Sequence, residues 1–120
     1  MSEVAQWETA QTIHEDDAAV LMEGDECTLV YCDTGKLVFS VSTLLPGHQS
    51  ALDPGHSGAH EVAYVIQGTI VMEFPSLKRY IRAKAGDVVF IPEREPHRFY
   101  NVGPEVAKVA WCTAPNLGRS

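Results

Sequence analysis

The residues of this chain that could do chemistry gather in two short stretches. Residues 54–68, PGHSGAHEVAYVIQG, set His56, His60 and Glu61 just ahead of an apolar run that closes on a glycine. Residues 86–101, GDVVFIPEREPHRFYN, add His97 about thirty residues further on. Imidazoles and carboxylates are ligands for borderline and hard divalent cations. Delivered from two separate strands, they predict a metal site inside a small β-barrel. Neighbouring side chains on a regular strand face opposite ways, so only one of His60 and Glu61 points into such a barrel. His48, in the polar loop ahead of the first stretch, is a further imidazole, read as an exposed loop residue.

The elements that must hold these groups are short strands cut by turns. Apolar or alternating runs fall at 19–22, 27–32, 36–45, 61–67, 69–74, 79–82, 87–91, 97–101 and 106–113. Glycine, proline, aspartate and serine punctuate them, at Glu23-Gly24-Asp25, Asp33-Thr34-Gly35, Pro46-Gly47, Gly68, Pro75-Ser76, Ala85-Gly86, Pro92 and Gly103-Pro104. No segment carries a sustained 3.6-residue period. With 120 residues, the pattern predicts one all-β domain spanning 1–120, a barrel or sandwich. Residues 1–18 are polar, with Trp7 and Ile13 as large anchors, and read as an arm across the domain or a partner subunit. Tyr64, Phe90, Phe99 and Trp111 are expected in the core or pocket wall. Gln67 and Glu73 share the parity of Glu61 and would face the barrel with it.

Taken together, these residues resemble a cupin, a small double-stranded β-helix or jelly-roll barrel. The first cupin motif is G-x5-H-x-H-x3,4-E-x6-G; here Glu61 and Gly68 keep the six-residue gap and His56 precedes Glu61 by four. The second is G-x5-P-x-G-x2-H-x3-N, and Gly86, Pro92, His97 and Asn101 fall at its places. Two departures from the pattern bear on the site. Pro54 stands where the first histidine would be, and Arg94 where the second motif has glycine, so that turn is expected to be altered. What the resemblance implies is one divalent metal ion (Fe, Zn, Ni or Mn) held by His56, Glu61 and His97. If a bulge aims His60 inward, it replaces Glu61 as ligand; His48 is the other substitute for the missing one. Either Glu61 or His60 would move the proton. The implied function is a metal-dependent enzyme on a small polar, carbonyl- or carboxylate-containing molecule, of the isomerase, cyclase, lyase or dioxygenase type. The alternative is a non-catalytic small-molecule-binding or sensor cupin. Family resemblance also implies a homodimer, in which the N-terminal arm could contribute an exchanged strand.

Bulk properties exclude other classes. A net charge of −7 argues against nucleic acid, whose phosphates need clustered Lys and Arg. Lys78, Arg79, Arg82 and Lys84 alternate with Tyr80 and Ile81 as the solvated side of a strand. No apolar run approaches a bilayer span, and the N-terminus lacks the pattern of a signal peptide. The expectation is a cytoplasmic protein with no membrane partner. Cys27, Cys32 and Cys112 form no C-x-x-C and read as reduced, buried small hydrophobes.

Overall fold

A computed structural model describes residues 6–115. Within them the runs become β1 (Ala19–Glu23), β2 (Glu26–Asp33), β3 (Val38–Leu44), β4 (His60–Gln67), β5 (Thr69–Phe74), β6 (Arg79–Lys84), β7 (Val88–Ile91), β8 (Arg98–Asn101) and β9 (Ala107–Ala114). All pairings are antiparallel, giving a six-stranded sheet in the order β1-β2-β3-β9-β4-β7 and a three-stranded sheet β6-β5-β8. The β2–β3 turn is tied by Thr34, whose Oγ1 accepts the Lys36 and Leu37 amides at 3.0 and 3.1 Å. No helix among the described residues is long and apolar enough to cross a membrane.

Strand alternation sorts the side chains. On β4, Glu61, Ala63 and Val65 are buried while His60, Val62, Tyr64 and Ile66 are exposed. One core cluster takes residues from both sheets, among them Leu44, Val65, Ile70, Met72, Phe99 and Val109. The interior is apolar at one end and polar at the other. On β9 the inward series runs Ala107, Val109, Trp111, Thr113, and Thr113 sits opposite Glu61. β2 and β3 contribute Glu26, Thr28, Ser40 and Ser42 to the inside, all buried. Polar side chains on an inner wall cost stability unless they meet partners, so this end of the barrel is built for something other than packing.

The long connection between β3 and β4 closes that end. It runs antiparallel to the β8 segment, with isolated bridges Gln49–Tyr100 and Asp53–His97. The backbone bonds include Gly47 N to Asn101 O (3.1 Å), Ser50 N to Phe99 O (2.9 Å) and Asp53 N to His97 O (2.8 Å). Asn101, the last residue of the second motif, fastens three segments: its Nδ2 donates to Leu44 O and Glu105 O at 2.8 Å, and its Oδ1 accepts the Gly103 amide at 2.9 Å.

Several expectations are corrected by this geometry. Tyr64 and Phe90 lie on the outer face, not in the core, whereas Phe99 and Trp111 are buried. Glu73 faces outward, because β5 starts after the Gly68 turn and puts Met72 and Phe74 inside. There it forms an ion pair with Arg98, Oε1 lying 3.1 Å from Nε, and accepts from Tyr100 OH at 2.6 Å. Gln67 follows a β-bulge and donates to Val106 O at 2.9 Å. The three cysteines are free but only partly buried. Residues 1–5 of the expected arm lie outside the described residues; in 6–18 only Trp7, Ile13 and Ala18 are partly covered.

Candidate metal centre

Two backbone segments meet at the polar end of the barrel. His97 precedes β8 and exchanges both backbone bonds with Asp53, His97 N donating to Asp53 O at 2.9 Å. Beside this pair, Arg94 N donates to His56 O at 3.0 Å. Gly55 makes the contact possible. Its φ is +92°, and a Cβ there would lie 2.6 Å from Glu95 N and 2.7 Å from Arg94 C. Arg94 itself has φ +60°, a left-handed backbone that glycine adopts more readily than a residue with a side chain.

This docking gathers four side chains. Asp53 Oδ1 accepts the Gly55 amide at 2.8 Å. Its Oδ2 lies 3.6 Å from His56 Nε2 and 3.8 Å from His97 Nε2. Glu61, at the start of β4, accepts from Thr113 Oγ1 at 3.1 Å on Oε2 and presents Oε1 to His97 Nε2 at 3.3 Å. One ligand atom each from Asp53, His56 and Glu61 lies within 4.8 Å of the others, and His97 adjoins Asp53 and Glu61.

The donor set fits a divalent cation. His97 Nδ1 lies 2.9 Å from Glu95 O; a carbonyl only accepts, so Nδ1 carries hydrogen. In the neutral ring, Nε2 is then a lone pair aimed at the lone pairs of Glu61 Oε1. That oxygen is buried and has no hydrogen-bond partner. Two acceptors face to face in a site where His97 is only 3% exposed require a positive centre between them, a proton or a metal ion. Without metal the site binds protons. The Asp53 hydrogen bond raises the pKa of His56 against the effect of burial. Burial would lower that of His97, but Glu61, the Glu95 carbonyl and Asp53 together raise it. Burial would likewise raise Asp53, yet the His56 bond, the Gly55 amide and the two imidazoles bring it below its usual value.

Of the residues singled out in the sequence, His56, Glu61 and His97 come together. His60 does not: it is exposed on the outer face, edge-on to Phe90 at 5.0 Å and 78°. His48 sits 4.0 Å from Asp25 at the surface. Two functional residues escaped sequence reasoning. Asp53 stands one place before Pro54, where the motif has no ligand; the signal was a carboxylate next to a Pro-Gly-His turn. Glu26 fell between the Glu23-Gly24-Asp25 turn and the 27–32 run and was given no role, yet it opens β2 facing inward, and the signal was the E-x-T alternation. Glu26, Thr28, Asp53, Glu61, His97 and Trp111 line a cavity of about 80 Å³ with six other residues.

The sequence profile described as "Cupin domain" matches residues 40–113, more than half of the chain. The chain belongs to the cupin family. An uncharacterised protein of Methanocaldococcus jannaschii, MJ1618, is 30% identical over 57 residues, 48% of this cupin and 44% of that protein. This cupin therefore matches less than half the length of that curated relative. Among solved structures, a conserved Klebsiella pneumoniae protein with a double-stranded β-helix domain superposes with TM-score 0.77 at 22% identity, covering 92% of this chain and 95% of the other. A Thermotoga maritima protein described as a predicted oxalate decarboxylase gives 0.74 at 18% identity, covering 88% and 99%. A polyketide cyclase and a nucleoside dehydratase share the fold as well. At these identities the likeness is one of fold, and it makes the two sheets the halves of a cupin double-stranded β-helix.

Proposed function

We propose that this cupin is a metal-dependent enzyme acting on a small polar molecule that carries a carbonyl or carboxylate oxygen. The observation that carries the reading is the buried, unpartnered Glu61 Oε1, 3.3 Å from His97 Nε2. His56, Glu61 and His97 hold one divalent ion (Fe, Zn, Ni or Mn), with Asp53 supplying the ligand that Pro54 cannot. When bound, the ion supplies Lewis acidity, stabilising negative charge on a substrate oxygen. The chain does the rest. Glu95 O and Thr113 Oγ1 fix the orientation of His97 and Glu61, and Phe99 and Trp111 wall the cavity against bulk water. Two imidazoles with two carboxylates suit Fe, Mn or Zn. Iron would tilt the chemistry toward a dioxygenase, and zinc or nickel toward isomerisation, cyclisation or elimination. A sensor cupin would share the ligands but has no need of the second buried carboxyl, Glu26, in the same cavity, which favours the enzyme.

The outer face of the six-stranded sheet exposes Val62, Tyr64, Ile66, Val88 and Phe90. A second copy covering this patch makes the working unit a homodimer. Free cysteines suit a reducing cytoplasm.

Elemental analysis of freshly purified protein tests the metal reading. One ion per chain is expected in the parent, with loss in His56→Ala and His97→Ala and weakened retention in Asp53→Ala. A parent that takes up no divalent ion under any loading condition refutes it.

A further inference from the structure

We propose that Glu26 is the acid–base group of this pocket: its carboxyl gives a proton to, or takes one from, a small carboxylate or enolate held at the Asp53–His56–Glu61–His97 cluster. The proposal rests on the metal-dependent reading above. Glu26 is 7% exposed and lines the same cavity as Asp53, Glu61 and His97. Those three and His56 pair with one another, whereas Glu26 feels Glu61 only through its charge and faces the contents of the pocket from β2.

Thr28, on the same strand and 5% exposed, lines the cavity beside Glu26. A cavity walled by a buried hydroxyl and buried carboxyls suits a polar molecule, not an apolar one. The neighbourhood also holds the Glu26 proton near neutrality. Burial raises its pKa to about 7, against the Ser42 and Thr28 hydrogen bonds and with help from the charges of Glu23 and Glu61. Ser42 is in turn fixed by Trp111 Nε1, which donates to its Oγ at 2.8 Å. The titratable groups around Glu26 are Glu23 on β1, Glu61 on β4, Asp53 from the β3–β4 connection and His97 ahead of β8. Glu61, Asp53 and His97 are engaged by the ion, which leaves Glu26 to exchange a proton with substrate. In the donating direction the Glu26 O–H bond breaks and a bond forms from that proton to a substrate oxygen or carbon. The substrate becomes one charge less negative and Glu26 a carboxylate; the reverse step restores both.

The test uses cobalt(II)-loaded protein and acetate as probe, the smallest carboxylate that stays ionised near neutrality. Calorimetry in buffers of different ionisation heat counts protons taken up per acetate bound. The parent is expected to take up a proton as acetate binds, and to lose affinity about tenfold per pH unit above the pH at which Glu26 ionises in the cobalt-loaded protein. Glu26→Gln should bind cobalt as the parent does, take up no proton and bind acetate independently of pH. Glu26→Ala should also take up none and bind acetate at least about tenfold more weakly at pH 6. Proton uptake in Glu26→Gln equal to the parent's overturns the proposal, as does a cobalt-loaded parent that takes up no proton or binds no acetate. A parent that binds no cobalt overturns the metal reading, and this one with it.

Discussion

The contact between Gly55 and the Arg94–Glu95 backbone should be the point where stability and metal affinity are coupled, and a matched pair of substitutions isolates it. Gly47 and Gly55 both have positive φ, +79° and +92°. An alanine at either pays for a left-handed backbone, about 1 kcal/mol. At Gly47 the added methyl meets nothing within 4 Å, so Gly47→Ala should cost only that, about 4 °C in Tm for a chain of this size. At Gly55 the methyl would lie 2.6 Å from Glu95 N and 2.7 Å from Arg94 C. These are backbone atoms with no rotamer to escape into. The two segments must separate, straining the Arg94 N–His56 O bond and the Asp53–His97 pairing. An overpacking cost of about 2 kcal/mol brings Gly55→Ala to about 3 kcal/mol, or about 12 °C. The assay is thermal unfolding of both variants with chelator and with a fixed excess of zinc, alongside zinc affinity by competition. Gly55→Ala should lose about tenfold or more in zinc affinity, because His56 and Asp53 move away from His97; Gly47→Ala should keep the parent's affinity. Equal losses of Tm in the two variants, or parent-like zinc affinity in Gly55→Ala, would refute the reasoning.

Glu26 carries a pKa raised from 4.5 to about 7, so between those values the folded state holds a proton that the unfolded state releases. Its contribution is therefore greatest below about pH 4.5 and falls as pH rises to about 7, by about 3 kcal/mol. In metal-free protein, Glu26→Gln should grow more stable relative to the parent across that window; a constant difference in urea midpoints would contradict this. The raised His56 and His97 also favour the metal-free fold at low pH, so stabilisation by zinc should increase from pH 6 to 8, as protons stop competing for the same nitrogens; a flat dependence speaks against shared ligands. Thr113→Val removes the hydroxyl on Glu61 Oε2 and should weaken metal binding about tenfold, read by competition titration, with unchanged affinity as the refuting result. His60→Ala should keep the parent's metal content, and its loss would return His60 to the ligand set.

Most of the strand positions along the chain could be read from the sequence because each strand is short and bounded by glycine, proline or aspartate, which act locally. His56, Glu61 and His97 were legible for a related reason: they sit at fixed steps from Gly68, Pro92 and Asn101. Parity served well where a strand was regular, as for Glu61 against His60, and failed for Glu73 because the Gly68 turn resets the face between β4 and β5. Asp53 was hidden since no strand periodicity governs its loop; only pairing with His97, far off in sequence, sets its direction. Glu26 was hidden because a buried acidic residue at a strand's first position looks the same as a solvated turn residue. What separates them is the polar wall of Thr28, Ser40 and Ser42, a tertiary property.

The connection that runs beside β8 is held there mostly by main-chain bonds, from Gly47 N–Asn101 O to Asp53 N–His97 O. Amide and carbonyl groups are common to nearly every residue, so away from its glycines the path of this segment depends little on which side chains it carries. Position and chemistry are thereby uncoupled: the backbone ladder delivers residue 53 to the candidate metal cluster, and the residue type decides the charge and hardness of the donor. A histidine can give way to an aspartate one place along the chain while the other donors stay where the strands put them. In such a scaffold, changes in metal preference and reaction can arise one residue at a time in this segment, with no new fold required.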